Sequence, residues 1–260
     1  MTAASAGPVL WRREGQIGHI TLNRPKAFNS ITIELLEQLG VALGELAADS
    51  DAIIIRGAEG NFSTGGDLKF IRESQSDPKI MRVLAETGGR VFDLIGVLPI
   101  PVVAAVEGFC LAGGFELLQA CDFAVAAEDA VIGDGHVEFA QIPGGGGAVR
   151  LVRYLGHQAA LGILLTGDRF TGAQAAARGL VHRAFPAGRF EEGVADLAAQ
   201  LARRGRGALE AIKQTVIELE QLPLDQALAG ERDAFIAHVT GPVAAAGLER
   251  FLARQANKGT

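Results

Sequence analysis

Short apolar runs alternate with segments of helical period over most of the chain, and helical period alone remains towards its end. Residues 52–56 and 101–106 are nearly continuous apolar runs, which are typical of buried strands. Residues 33–48 instead place apolar side chains three and four positions apart, as on one face of a helix. The pattern predicts an α/β protein with a core over residues 1–190 and a helical region over residues 191–260.

Turn residues and helix breakers mark the ends of several elements. Residues 10–22 have the pattern of a β-hairpin with a glycine near its middle, and residues 80–97 that of a helix ended by a following proline. The polar stretch at 74–79 is predicted to be a flexible connection. Leu180 and Val181 are predicted to form a short strand.

Composition and charge narrow the class of protein. The 260 residues are 48% hydrophobic and 21% charged, an ordinary globular balance, and the net charge of −6 disfavours nucleic acid or anionic membranes as partners. No apolar run approaches a membrane span, and the N-terminal MTAASAGP lacks the features of a signal peptide. With two cysteines, Cys110 and Cys121, in apolar context, the chain is expected in a reducing, cytoplasmic compartment.

Glycines stand where a helix is predicted to follow the apolar run at 101–106. Gly113 and Gly114 open that helix, and Glu116 lies in its first turn. The first N–H groups of a helix have no partner within it, so the Gly113 N–H can meet an oxygen that develops negative charge. The alternative is a tight turn followed by a favourable first-turn acid. We call residues 107–114 the second glycine loop.

A similar arrangement occurs earlier in the chain. The segment FSTGGDLK, residues 62–69, follows the apolar run at 52–56 and also carries a glycine pair. We call it the first glycine loop. An oxyanion hole needs two converging donors, and the two glycine loops supply two candidate sources. The later run Gly144–Gly147 lacks the Gly-Lys-Ser/Thr of a phosphate-binding loop, so we expect it to pack tightly near the site instead.

Five ordered segments resemble the crotonase superfamily, also called the enoyl-CoA hydratase/isomerase family. They are NRPKAFNSI, FSTGGDLK, AVEGFCLAGGFELLQACD, QIPGGGGAVRLVRYLG and LTGDRFTGAQAAARGLV. The resemblance implies an α/β fold of the crotonase (ClpP-like) type, a spiral of ββα units with a C-terminal helical region used in trimerisation. It also implies an acyl-CoA substrate and a homotrimer or a dimer of trimers, with no cofactor beyond the coenzyme A of the substrate and no metal.

The resemblance also implies roles for individual residues. Gly66 and Gly113 match the two oxyanion donors, and Glu116 matches a catalytic acid/base. Substrate contacts carried over in the same way are Lys26, Ser63, Thr64, Gly65, Gly66, Asp67, Leu68, Lys69, Gly113, Phe251 and Arg254. Three simpler alternatives stay open: Lys26 and Lys69 as solvated lysines, Asp67 as a helix cap, and Phe251 and Arg254 as part of an ordinary amphipathic helix.

One position departs from the family pattern. The family often has a second glutamate before its Ile-Pro-Gly, and the ungapped count from Ile142 places His136 there. The alternatives are Glu138, which is the nearest glutamate, Asp134, and a purely structural His136. An imidazole and a carboxylate attract each other, which predicts a lowered pKa for Glu116 and a raised pKa for His136.

Three functions follow from these residues. The first is hydration of a 2-enoyl-CoA to a 3-hydroxyacyl-CoA through an enolate held in the oxyanion hole. The second is another enolate-based reaction on the same fold, such as a decarboxylation, isomerisation, lyase reaction or C–C hydrolysis, because His136 replaces the usual glutamate. The third is a binding or scaffold protein without catalysis, which retention of both glycine loops and Glu116 disfavours.

Overall fold

The computed structural model describes residues 7–256, which form two β-sheets flanked by helices. The strands are β1 (Val9–Glu14), β2 (Ile17–Leu22), β3 (Ala52–Gly57), β4 (Val102–Val106), β5 (Phe109–Leu111), β6 (Phe123–Ala127), β7 (Val131–Gly133), β8 (Arg169–Thr171) and β9 (Arg183–Phe185). The helices are α1 (Ile33–Asp49), α2 (Leu68–Ser74), α3 (Pro78–Val97), α4 (Gly113–Ala120), α5 (Gly147–Leu155), α6 (His157–Thr166), α7 (Gly172–Ala177), α8 (Phe190–Arg204), α9 (Arg206–Leu219), α10 (Leu224–Val239) and α11 (Pro242–Ala256).

The larger sheet has the order β1-β2-β3-β4-β6-β9, and the smaller sheet has the order β5-β7-β8. The predicted hairpin is confirmed, because β1 and β2 pair antiparallel through a turn that contains Gly15 at φ +58°. From β2 onward the pairs of the larger sheet are parallel. The apolar runs predicted as strands are β3 and β4, and every residue of β4 is buried.

One local prediction is wrong. Leu180 and Val181 are buried in the turn after α7 and do not form a strand, which begins instead at Arg183 of β9 and pairs with β6. Their apolar character reflects packing in that turn. In the segment predicted as flexible, Ser74 ends α2, and Asp77 caps α3 by accepting hydrogen bonds from the Lys79 and Ile80 N–H groups. Its flexibility stays a prediction. Helix α3 therefore begins two residues before the predicted 80–97 helix.

Helices α8 to α11 make up the C-terminal region, as the helical period predicted. No helix within residues 7–256 is long and apolar enough to cross a membrane. The division at residue 190 stays a prediction. The N-terminal MTAASAGP extends outside the described residues.

A buried lysine fastens this helical region to the sheet. Lys213 of α9 donates hydrogen bonds to the Ile95 and Ile100 carbonyls, each at 3.0 Å, and to the Asp122 carboxylate at 2.8 Å. Asp122 also accepts a hydrogen bond from the Val102 N–H at the start of β4. The lysine thus meets acceptors at the end of α3 and at both ends of the β4–α4 segment.

We expect Lys213→Met to lower the free energy of unfolding by about 3–5 kcal/mol. The substitution leaves a largely buried carboxylate without its cation and removes the donor to two carbonyls. Urea unfolding followed by circular dichroism measures the change. Arg203→Met on the exposed face of α8 is the control and is expected to shift stability by less than about 0.5 kcal/mol. Equal stability of the two variants would contradict the role of Lys213.

Candidate active site

A cavity of about 760 Å³ opens where the two glycine loops meet α3 and the segment that follows β7. The glycine loops and α4 contribute Thr64, Gly66, Gly113 and Glu116 to its lining, and the segment after β7 contributes Asp134 and His136. Much of the remaining wall is apolar and includes Ile71, Met81, Leu84, Ala85, Gly88 and Phe92. Glu116, Asp134 and His136 therefore border a mainly apolar cavity.

The two glycine loops touch each other through backbone atoms. A Cβ placed on Gly65 would lie 2.6 Å from the Gly113 nitrogen, and Gly65 has a φ of +87°. A Cβ on Gly114 would lie 2.3 Å from the Ser63 carbonyl oxygen. Both contacts are too close for any side chain, so the glycine pairs permit the loops to approach each other.

Two backbone N–H groups of the glycine loops belong to residues that line the cavity. Across residues 7–256, neither the Gly66 N–H nor the Gly113 N–H has a protein acceptor, and both residues line the cavity. The neighbouring Gly65 N–H differs, because it donates to the Ser63 hydroxyl at 3.2 Å. The geometry thus leaves Gly66 and Gly113 with free donors, as an oxyanion hole requires.

Ala112 stands immediately before Gly113 in a strained backbone conformation, with φ +47° and ψ −120°. Its N–H donates to the Gly133 carbonyl at 3.2 Å, and its own carbonyl accepts from the Glu116 N–H at 3.0 Å. Strain at a non-glycine residue persists where the surroundings fix it, and it clusters at functional positions. Here it lies next to a candidate oxyanion donor.

Glu116 is buried in the first turn of α4, with 4% of its surface exposed. Its Oε1 atom accepts hydrogen bonds from the Gly145 N–H at 2.7 Å and the Gly147 N–H at 2.9 Å. The glycine run at 144–147 therefore packs against the site, as predicted, and a Cβ on Gly147 would lie 2.8 Å from the Glu116 Cγ. The Oε2 atom is left to face His136.

The pKa of Glu116 is raised, and the sequence-based expectation of a lowered value is wrong. Burial raises the pKa because it disfavours the charged carboxylate, and Asp134 adds to this effect. The two glycine N–H groups and the charge of His136 act in the opposite direction but do not outweigh burial. The attraction to the imidazole exists, but the pattern of residues could not show how completely the Glu116 carboxylate is shielded from solvent.

His136 faces the site and stands between two carboxylates. Its Nε2 atom lies 4.0 Å from the Glu116 Oε2, while its Nδ1 lies 3.0 and 3.1 Å from the two Asp134 oxygens. Burial lowers the pKa of His136, but the hydrogen bond and charge of Asp134 and the charge of Glu116 raise it further. The net shift is upward, which confirms the predicted direction.

The two alternatives to His136 lie in different places. Glu138 is paired with another residue, because both of its oxygens accept hydrogen bonds from Arg169, at 2.7 and 2.8 Å. Asp134 lines the cavity and is 1% exposed, but its carboxylate is engaged by His136. The residue that faces Glu116 across the cavity is therefore His136.

The first glycine loop divides into cavity-facing and supporting residues. Thr64, Gly66 and Leu68 line the cavity. Ser63 is buried behind them and donates to the Asn29 carbonyl at 2.9 Å. The predicted cap is confirmed at Asp67, whose carboxylate accepts from the Lys69 and Phe70 N–H groups and pairs with Arg24 at 2.8 Å.

The remaining substrate contacts implied by the resemblance lie outside the cavity lining of the single chain. Lys26, which lies between β2 and α1, and Lys69, the last residue of the first glycine loop, are exposed. Phe251 and Arg254 are exposed on α11. Their roles toward coenzyme A stay predictions.

The sequence did not indicate the roles that two sets of residues have in the site. Gly145 and Gly147 act as backbone donors to Glu116, whereas the glycine run indicated close packing only. Asp134 holds the imidazole of His136, whereas it was considered as a substitute for that residue. The signal available in the sequence was the Asp-Gly-His order, in which a glycine lets the chain turn; Gly135 has a φ of +72°.

Taken together, the groups of this cavity suit proton transfer next to a carbonyl. Two N–H donors can hold an oxygen that becomes negative, a buried carboxylate can accept a proton, and an imidazole beside it can give one.

Comparison with known proteins agrees with this site. The family model described as enoyl-CoA hydratase/isomerase matches residues 12–258. A probable enoyl-CoA hydratase of Rhizobium meliloti is 35% identical over 229 residues, which cover 87% of this chain and 88% of that protein. The short-chain-enoyl-CoA hydratase of Clostridium acetobutylicum is 31% identical over 230 residues, or 87% of each chain.

Among solved structures, the enoyl-CoA hydratase from Bacillus anthracis superposes with a TM-score of 0.89 at 30% identity, covering 95% of this chain and 96% of that one. This likeness confirms the crotonase fold that the five segments implied. With the match over residues 12–258, the glycine loops and the buried glutamate, the chain belongs to the enoyl-CoA hydratase/isomerase family.

Proposed function

We propose that this protein hydrates a 2-enoyl-CoA to the 3-hydroxyacyl-CoA. The observation that carries the proposal is the placement of Glu116 and His136, 4.0 Å apart, in the cavity that Gly66 and Gly113 also line. The names of the relatives in Rhizobium meliloti and Clostridium acetobutylicum support the same reaction.

The thioester oxygen lies between the Gly66 and Gly113 N–H groups in this mechanism. As water adds to C3, the double bond shifts its electrons toward the carbonyl and negative charge builds on that oxygen. Each donor stabilises the enolate more than the starting thioester, and losing one such donor typically raises the barrier by about 3–4 kcal/mol.

Glu116 and His136 hold the attacking water between them. A water about 2.8 Å from the Glu116 Oε2 and the His136 Nε2 would sit to one side of the line joining them, with roughly a right angle at its oxygen. Glu116 in its ionised form takes a proton from the water as the oxygen bonds to C3.

The second proton reaches the α-carbon from the protonated His136. The enolate collapses to the thioester as C2 takes that proton, so one water has been added across the double bond. Glu116 is then protonated and His136 neutral, and transfer of a proton between them restores the starting state. Their separation of 4.0 Å allows this transfer through one intervening water.

A steady-state assay with crotonyl-CoA, run beside a panel of β-ketoacyl and malonyl thioesters, tests the proposal. Hydration of crotonyl-CoA above all other conversions supports it. Because His136 stands where the family often has a glutamate, the second candidate is another enolate-based reaction, and turnover of the panel without hydration would favour that candidate. Binding of the thioesters without any turnover would indicate a non-catalytic protein.

We expect the thioester oxygen of a bound acyl-CoA to accept hydrogen bonds from both Gly66 and Gly113. Within residues 7–256 these donors lack protein acceptors, and both belong to residues that line one cavity. A structure with a bound substrate analogue measures the two distances, and isothermal titration compares that analogue with free coenzyme A. A thioester oxygen beyond hydrogen-bonding distance of both nitrogens would contradict the expectation, as would a failure to bind the analogue.

The protein is also proposed to act as a homotrimer or a dimer of trimers. Support comes from large apolar side chains that stay exposed on α9, α10 and α11 of the single chain, among them Ile212, Val216, Leu228, Phe235, Ile236, Leu248, Phe251 and Leu252. Extended apolar surface of this kind marks interfaces. Light scattering after gel filtration measures the assembly.

Free, buried thiols at Cys110 and Cys121 support the prediction of a reducing, cytoplasmic compartment. Coenzyme A enters the proposed reaction as part of the substrate.

A further inference from the structure

The His136 ring is fixed by a residue two positions earlier in the chain. Asp134 is almost completely buried, and both of its oxygens lie within 3.1 Å of the ring Nδ1. The Asp134 Oδ1 also accepts a hydrogen bond from the His136 backbone N–H at 3.1 Å. Gly135 between them has a left-handed conformation that folds the carboxylate back onto the ring.

We propose that Asp134 is a positioning residue, which orients the His136 ring and fixes its tautomer so that Nε2 is presented to Glu116 and the substrate. This inference rests on the proposed function and adds a role to it. The contacts determine which nitrogen of the ring carries the proton, because an ionised carboxylate accepts hydrogen bonds and therefore keeps a proton on Nδ1. In the neutral ring, Nε2 is then the atom without a proton.

Asp134 thereby determines which nitrogen of the His136 ring exchanges protons in the reaction. With Nδ1 committed to Asp134, every proton that His136 gains or gives passes through Nε2, which is the nitrogen nearest to Glu116. Without Asp134, the ring could turn or exchange its tautomer, and a share of the molecules would present the wrong nitrogen. An aspartate that orients a histidine in this way has a large effect in hydrolytic triads.

The charged groups around the ring agree with this assignment. Asp134 acts from the same turn, and Glu116 acts from α4. Arg169 of β8 also lines the cavity, but its guanidinium is paired with Glu138. The imidazolium form is therefore favoured by two carboxylates, of which Asp134 makes the hydrogen bond.

Asp134→Asn tests the proposal because it keeps the size of the side chain and removes its charge. We expect kcat for hydration to fall at least about tenfold, with a much smaller change in KM. The limb of the pH–rate profile that belongs to His136 should move to lower pH, since the amide no longer favours the charged ring. Asp129→Asn, on an exposed residue before β7, is the matched control and should change neither quantity.

Nuclear magnetic resonance of the histidine rings gives a second measurement that does not depend on turnover. In the wild-type protein above the pKa of His136, the ring should carry its proton on Nδ1, and the signal is assigned by its loss in His136→Gln. If Asp134→Asn does not fold, this wild-type result still decides the point. A proton on Nε2, or an unchanged titration of His136 in a folded Asp134→Asn protein, would overturn the proposal.

The two proposals fail in distinguishable ways. If no thioester is hydrated while the ring carries its proton on Nδ1 and titrates at lower pH in Asp134→Asn, hydration is wrong and the orienting contact stands. If hydration is efficient while Asp134→Asn matches the wild type in kcat and pH profile, the proposed function stands and Asp134 has no positioning role.

Discussion

Replacing Glu116 with glutamine is expected to lower kcat by about 10²–10⁴-fold while ligand affinity changes little. The amide has nearly the same size, and its oxygen can still accept the hydrogen bonds from the Gly145 and Gly147 N–H groups. It cannot take a proton from the attacking water. Steady-state kinetics with crotonyl-CoA and titration with a non-reactive thioester measure the two effects separately.

Glu128→Gln is the matched control for this prediction. Glu128 is exposed at the end of β6, so the same chemical change is made outside the cavity and should leave kcat unchanged. If kcat of Glu116→Gln stays within about threefold of the wild type, Glu116 is not the acid/base. Proton-transfer catalysis is worth far more than that factor.

The second large effect is expected at His136. His136→Ala should remove most of the hydratase activity, because the variant lacks both the donor at the α-carbon and one of the two groups that hold the water. In the wild type, activity should rise with pH as Glu116 ionises and fall as His136 loses its proton. Because both pKa values are raised, both limbs should lie above the ordinary values of the two side chains. The limb at higher pH should disappear in His136→Ala.

His157→Ala, at the exposed start of α6, serves as the control and should keep the wild-type profile. His136→Glu restores the residue that the family often has, and it should raise crotonyl-CoA hydration above that of His136→Ala. Efficient hydration by the wild type together with an unchanged rate and profile in His136→Ala would show that His136 is structural. Asp134 and Glu138 would then be the carboxylates to test.

Much of the fold was predictable because it depends on local pattern. The apolar runs that became β3 and β4 and the helical period of α1 are properties of consecutive residues. The ends of elements were less certain where burial competes with propensity. Leu180 and Val181 have the composition of a strand, yet their place in a tight turn depends on how α7 packs beside β6 and β9.

The two glycine loops show how far the sequence alone determines the site. A Cβ at position 65 or 114 would lie within 2.6 Å of a backbone atom of the other loop, so glycine has no substitute there and the order of residues already indicated the candidate oxyanion donors. The position of Glu116 in the first turn of α4 followed from the same pattern.

The electrostatics of the site were decided by the tertiary structure. The sequence placed a carboxylate and an imidazole at one site, and attraction between them predicted a lowered pKa for Glu116. Burial reverses that shift, because desolvation depends on all the groups that close around the carboxylate. In the same way, the pairing of Glu138 with Arg169 depends on how the segment after β7 lies against β8. These two residues are 31 positions apart in the chain, and no period or spacing in the sequence encodes their contact.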